Sequence, residues 1–157
     1  VLAADGVDAA ALRPVLDDLT GRGAVCEVVG PRDGALVTAG GGELETRRAL
    51  PTVSSVLYDA VLVPDGPDQA AALAADGSAS HFILEAFKHG KPVGALGAGA
   101  ELVARLLGDA TTAEAGAGIS EDRGVVLAGT ADGFPDRYAA AVAAHRHFDR
   151  PVDRVRA

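Results

Sequence analysis

The chain has 157 residues, 48% hydrophobic and 23% charged, with 20 Gly and a single Cys. This places it with ordinary globular domains and excludes disordered or collagen-like chains. A net charge of −8 repels phosphate backbones and anionic lipid, so neither nucleic acid nor a membrane is expected as a partner. One cysteine excludes an internal disulfide framework, and no apolar run reaches the roughly 20 residues of a membrane span, so the cytoplasm is the expected location.

In chain order, Val1 to Ala4 is a short apolar run, and Leu12, Val15, Leu16 and Leu19 then follow the i, i+3, i+4, i+7 spacing of a helix that Gly21 and Gly23 end. Val25 to Val29 reads as a second strand, which places Cys26 in a strand middle as a small core residue. Ala35 to Thr38 and Glu43 to Thr46, separated by three glycines, form a small hairpin. Ala60 to Val63 is a core strand, and Pro67 to Ala75 and Ala79 to His89 are helices. Pro92 to Leu96 is the next strand, followed by a helix over Glu101 to Leu107. Asp109 to Gly118 reads as a flexible loop and Val125 to Ala128 as the last core strand. A final helix from Pro135 to His147 should bury Tyr138, Ala141, Val142 and His145, with His147 paired to Asp149 or Asp153 at the surface.

Continuous apolar strands alternating with helices imply an α/β fold, a flavodoxin-like three-layer sandwich with a mainly parallel sheet, helices on both faces and a small hairpin. Such folds bind ligands beyond the carboxyl ends of their strands. That directs attention to Asp8, to Asp65 and Gly66, and to the turn Gly97-Ala98-Gly99. The small residues around Gly97 suit a nucleophile elbow, yet glycine supplies no nucleophile, and neither neighbour is Ser, Cys or Thr. The turn also lacks the third glycine of a dinucleotide fingerprint and the lysine of a P-loop. His145 and His147 diverge by about 200° on a helix and do not form a shared metal site.

Three runs carry a resemblance: Ala3-Ala4-Asp5-Gly6-Val7-Asp8, Tyr58-Asp59-Ala60-Val61-Leu62-Val63-Pro64-Asp65-Gly66 and the Gly97 elbow. Together they resemble the class I glutamine-amidotransferase-like superfamily, which includes ThiJ/PfpI-type proteins. The runs His81 to Pro92 and Ala95 to Leu102, with the ending Ala144-His145-Arg146-His147-Phe148-Asp149-Arg150, are similar to the C-terminal domain of large-subunit monofunctional haem catalases. The resemblance implies a flavodoxin-like domain over 1–149 and a polar tail over 150–157. It also implies a haem-bearing catalase core elsewhere in the parent chain, in keeping with a sequence that starts at Val1 and contains no Met.

Superfamily enzymes place a cysteine at the position of Gly97, often with histidine where Ala98 stands, and a glutamate from the first helix where Ala11 is the match, or Asp8 as a stand-in. The implied role is a non-catalytic accessory domain with no cofactor of its own. Its partners would be the catalase core, the homotetramer that core forms, and unfolded clients if the domain is chaperone-like. On this reading Asp8, Asp65, Gly66, Gly97, Ala98 and Gly99 line a vestigial pocket. The alternative is a small-molecule glyoxalase or hydrolase built on an unconventional set around Asp8 and Asp65.

Overall fold

A computed structural model describes residues 1–155. In chain order the elements are α1 (Ala9–Gly21), β1 (Val29–Gly30), β2 (Gly34–Val37), β3 (Glu43–Thr46), β4 (Arg48–Ala49), β5 (Val61–Val63), α2 (Pro67–Ala75), α3 (Gly77–Lys88), β6 (Val93–Leu96), α4 (Gly97–Leu107), β7 (Ile119–Asp122), β8 (Val125–Ala128) and α5 (Phe134–Ala143). Strands β5, β6 and β8 are parallel neighbours, β7 closes that edge antiparallel to β8, and β1 pairs in parallel with β4. The N-terminal segment joins the two sheets. Leu2 makes a parallel bridge to Val29, and its N–H donates to Leu62 O at 2.9 Å. The order across the layer is therefore β4, β1, the Leu2 segment, β5, β6, β8 and β7.

Side chains alternate strictly between the two faces of this layer. Val61, Val63, Val93, Ala95, Val125 and Leu127 pack with α2, α3 and α4, while Leu62, Leu96, Val126 and Ala128 pack with α1 and α5. This two-sided burial is why the strands read as unbroken apolar runs. Gly94 permits the close approach of α5. A Cβ there would come within 2.6 Å of the Tyr138 ring and 2.9 Å of Phe134, two rings stacked 5.4 Å apart. Helix starts follow local chemistry. Asp8 caps α1 by accepting the Ala11 N–H at 3.0 Å, Asp76 caps α3 by accepting that of Ser78 at 2.8 Å, and Pro67 opens α2, where its missing N–H is not needed.

Several expectations need correction. Only Val29 of the run Val25 to Val29 enters a strand; Val25 is 95% exposed and Cys26 is half-buried instead of lying in a strand middle. Helix α4 starts at Gly97, four residues before Glu101, because the glycine-rich turn is itself helical. Strand β7 was hidden by its alternation of exposed and half-buried residues. Helix α5 ends at Ala143, and His145 takes a φ of +68° and is exposed, so it does not join the apolar stripe. His147 turns inward over Gly124, its Nε2 3.2 Å from Ala141 O. Arg150 and Val155, placed in a polar tail, are 6% and 7% exposed.

Candidate functional site

The β6–α4 junction is an elbow. Leu96 is extended at φ −124°, and Gly97 reverses the chain at φ +51°, a left-handed conformation that glycine adopts without strain. Gly99 lets α4 sit against β5, since a Cβ there would stand 2.8 Å from Val63 O. Directly opposite, at the end of β5, is Asp65. Its Oδ1 accepts the Ala98 N–H at 2.8 Å and the Gly66 N–H at 2.7 Å. A Cβ added at Gly97 would overlap this carboxylate.

The arrangement has a clear chemical meaning. In an elbow that carries a nucleophile, the N–H of the residue after it helps form the oxyanion hole. Here that N–H belongs to Ala98 and is already paired with a carboxylate. The position that would hold the nucleophile has no side chain, and the Asp65 carboxyl group fills the adjoining space. The structure thus brings Asp65, Gly66, Gly97, Ala98 and Gly99 together. Asp8 adjoins them through its backbone, its N–H donating to Asp65 O at 2.9 Å, while its carboxylate is directed to the cap of α1.

Gln69 and the Arg32 partner of Asp5 escaped the sequence reading, although Asp5 itself lay in a strand-end segment that the sequence marked. Gln69 is fully buried on α2, where it accepts the Ala4 N–H at 3.1 Å and donates to Pro64 O, locking the ends of two adjacent strands. Its signal was a lone amide one residue before Ala70 on the helix face that also buries Leu73. Asp5 is held by Arg32 through two bonds of 3.0 and 3.1 Å and accepts the Val37 N–H at 2.9 Å, which fastens the hairpin beside the elbow. The Arg32 guanidinium, followed by the Val37 N–H, lowers the Asp5 pKa. Cys26 packs against the α1 and α5 side of the core and takes no part in the elbow.

A doubly wound sheet with this elbow defines the DJ-1/ThiJ/PfpI-like class of folds. Among solved structures, Toxoplasma gondii DJ-1 in oxidized form superposes with a TM-score of 0.77 at 14% identity, covering 94% of this chain and 90% of its own. A two-domain Anabaena variabilis protein with DJ-1/ThiJ/PfpI-like and ferritin-like domains gives a TM-score of 0.72 at 16% identity, and 46% of it is covered. These likenesses concern the fold. Residues 1–152 match the family model of the C-terminal domain found in long catalases, and the chain belongs to that family. It is 43% identical over 160 residues to catalase HPII of Mycobacterium avium and 31% identical over 169 residues to catalase-1 of Neurospora crassa, covering 99% and 98% of this chain. In both cases the chain spans 23% of the relative's length.

Proposed function

We propose that this domain is an accessory, non-catalytic part of a longer catalase, whose core decomposes hydrogen peroxide with haem and assembles as a homotetramer. The observation that carries this reading is the elbow: no nucleophile at Gly97, and the Ala98 N–H paired to Asp65. Covalent catalysis needs a nucleophile within reach of an activating group, and losing it removes most of the rate. Asp8, the other acid considered, is used to cap α1.

Among the described residues the two phenols are engaged within the domain: Tyr58 donates to Glu27 Oε1 at 3.0 Å, and Tyr138 is packed over Gly94 and stacked on Phe134. Haem therefore belongs, on this reading, to the core of the parent chain. The contribution of the domain is to stabilise that assembly, and no helix among the described residues is long and apolar enough to cross a membrane.

The test compares three preparations. The 157-residue domain alone should release no oxygen from peroxide and consume no methylglyoxal. The long catalase carrying Asp65→Asn should turn over peroxide at the wild-type rate per haem. The long catalase truncated before Val1 should lose resistance to heat and denaturant. Turnover by the isolated domain, or an Asp65→Asn defect in turnover per haem, would overturn the proposal.

A further inference from the structure

We infer that the end of the domain formed by the N-terminal ends of its parallel strands is the surface on which the preceding part of the long catalase chain packs. This rests on the proposal that a catalase core lies in the same chain, and it names the face involved. Three independent sets of observations converge on that end.

The first is the distribution of exposed apolar side chains. Val25 precedes β1 and is 95% exposed; Val56 and Leu57 precede β5 and are 61% and 70% exposed. Phe148, 82% exposed, follows His147, whose N–H donates to Gly90 O just ahead of β6 at 2.8 Å. Large apolar groups gathered at one end and left in water mark an interaction surface. Beside Val56 and Leu57, a groove of about 420 Å³ lies between Leu50, Val53 and Ser55 on one side and His81, Phe82 and Glu85 of α3 on the other.

The second is unfinished hydrogen bonding. Among the described residues, the buried side-chain polar atoms without a partner are Ser55 Oγ and Arg150 Nη2. Buried polar groups are normally paired, so each orphan calls for an explanation. Both belong to one connected cluster at this end: Lys91 Nζ donates to Ser55 O at 2.7 Å and Tyr58 O at 2.5 Å, and Arg150 Nη1 donates to Lys91 O at 2.8 Å.

The third is the point at which the rest of the protein joins. The family is a C-terminal domain and the chain spans 23% of its relatives, so the remainder of a long catalase precedes Val1. The Val1 nitrogen is half-buried and donates to Glu27 O at 2.6 Å, continuing the ladder in which Val29 N–H donates to Val1 O and Ala3 N–H to Val29 O. Val25, Cys26 and Glu27 donate no backbone hydrogen bond among the described residues, so the edge beside Val1 is open to a further stretch of strand. Glu27 also accepts from the Tyr58 hydroxyl at 3.0 Å, which links this edge to the Ser55–Leu57 turn. The incoming chain thus arrives beside the apolar surface and the orphan groups.

Hydroxyl-radical footprinting of the complete long catalase tests the assignment. Leu57 and Phe148 should label several-fold less than Val37, which is 55% exposed on the hairpin at the other end. The double variant Leu57→Asp, Phe148→Asp should restore labelling of Val56 and Tyr58 and let protease release the domain intact, whereas Val37→Asp should do neither. Labelling of Leu57 and Phe148 in proportion to their exposure would overturn the inference. So would protection that vanishes on dilution to single chains, which would assign the face to a second copy. Haem absorbance and peroxide turnover of the same sample report separately on whether the chain contains a catalase core.

Discussion

The two ends of the sheet are built on opposite principles. At the C-terminal ends of the strands, where open α/β sheets bind their ligands, the polar groups are matched from within the chain: Asp65 with two N–H groups, Gln69 with Ala4 and Pro64, and Asp5 with Arg32 and Val37. At the N-terminal ends two cations are buried, Lys91 at 3% and Arg150 at 6% exposure, each held by backbone carbonyls without a carboxylate in its hydrogen-bond set. Arg150 also lies over the Phe87 ring, 4.5 Å from its centroid. At the first end the elbow N–H of Ala98 is already paired with Asp65. The second leaves Ser55 Oγ and Arg150 Nη2 without a partner and Val56, Leu57 and Phe148 in water.

Arg150 offers the most forceful way to break this contrast. It ties three carbonyls, Phe87 O at 2.9 Å, Lys91 O at 2.8 Å and Arg123 O at 2.7 Å, from segments far apart in sequence. Arg150→Ala strips all three of a partner and removes the cation over the ring, and should lower stability by about 3–5 kcal/mol in denaturant titrations. Arg150→Lys should recover only part of that, because an ammonium cannot reproduce the fork. A loss under about 1 kcal/mol would show that this cluster is not what holds the C-terminal segment.

At the opposite end the sharpest probe is Gly97→Cys, which restores the residue type that the superfamily's enzymes carry there. The new Cβ overlaps Asp65 and must sit at φ +51°, so destabilisation of about 2–4 kcal/mol is expected. Adding Asp65→Gly clears the space, and the pair should be less damaging than the sum of the two changes by about 1 kcal/mol or more. Strict additivity would mean that the carboxylate does not obstruct the elbow. In the middle of the sheet, Gly94→Ala drives a methyl group into Tyr138 and Phe134 and should cost about 1–3 kcal/mol by the same measurement.

Much of this architecture was legible in the residues. The runs 61–63, 93–96 and 125–128 are apolar without interruption because both faces are covered, and Pro67 and the glycines around residue 97 mark helix starts. The elbow residues could be named for the same reason, since a tight strand-to-helix turn demands small side chains. What was not legible depended on partners remote in sequence. Asp65 could be placed just beyond its strand, but nothing local shows that its carboxylate takes the N–H of Ala98, 33 residues away. Arg150 reads as the start of a polar tail until Phe87 and Lys91 surround it. The run Val25 to Val29 has strand composition, yet strand structure requires a neighbour, and only its last member has one.

The smallest effect expected concerns pH and the N-terminal end of β8. Asp122 is held by Arg123 through two bonds of 2.9 Å and accepts the Thr112 N–H at 2.7 Å and the Thr111 hydroxyl at 3.2 Å. The Arg123 guanidinium, foremost among these, lowers its pKa from 3.8 to about 2. Because the folded value lies below the unfolded one, the stabilisation is present above about pH 4 and is lost as pH falls through the folded value. With Arg123 partly in water, its magnitude is about 1–2 kcal/mol. Denaturant midpoints measured between pH 5 and pH 2 should fall more steeply for wild type than for Asp122→Asn, which starts lower at neutral pH and converges with wild type in acid. Parallel curves would place the acid sensitivity elsewhere. Asp5, lowered by Arg32 at the closed end, is the first alternative, and Asp5→Asn the variant that would then flatten the profile.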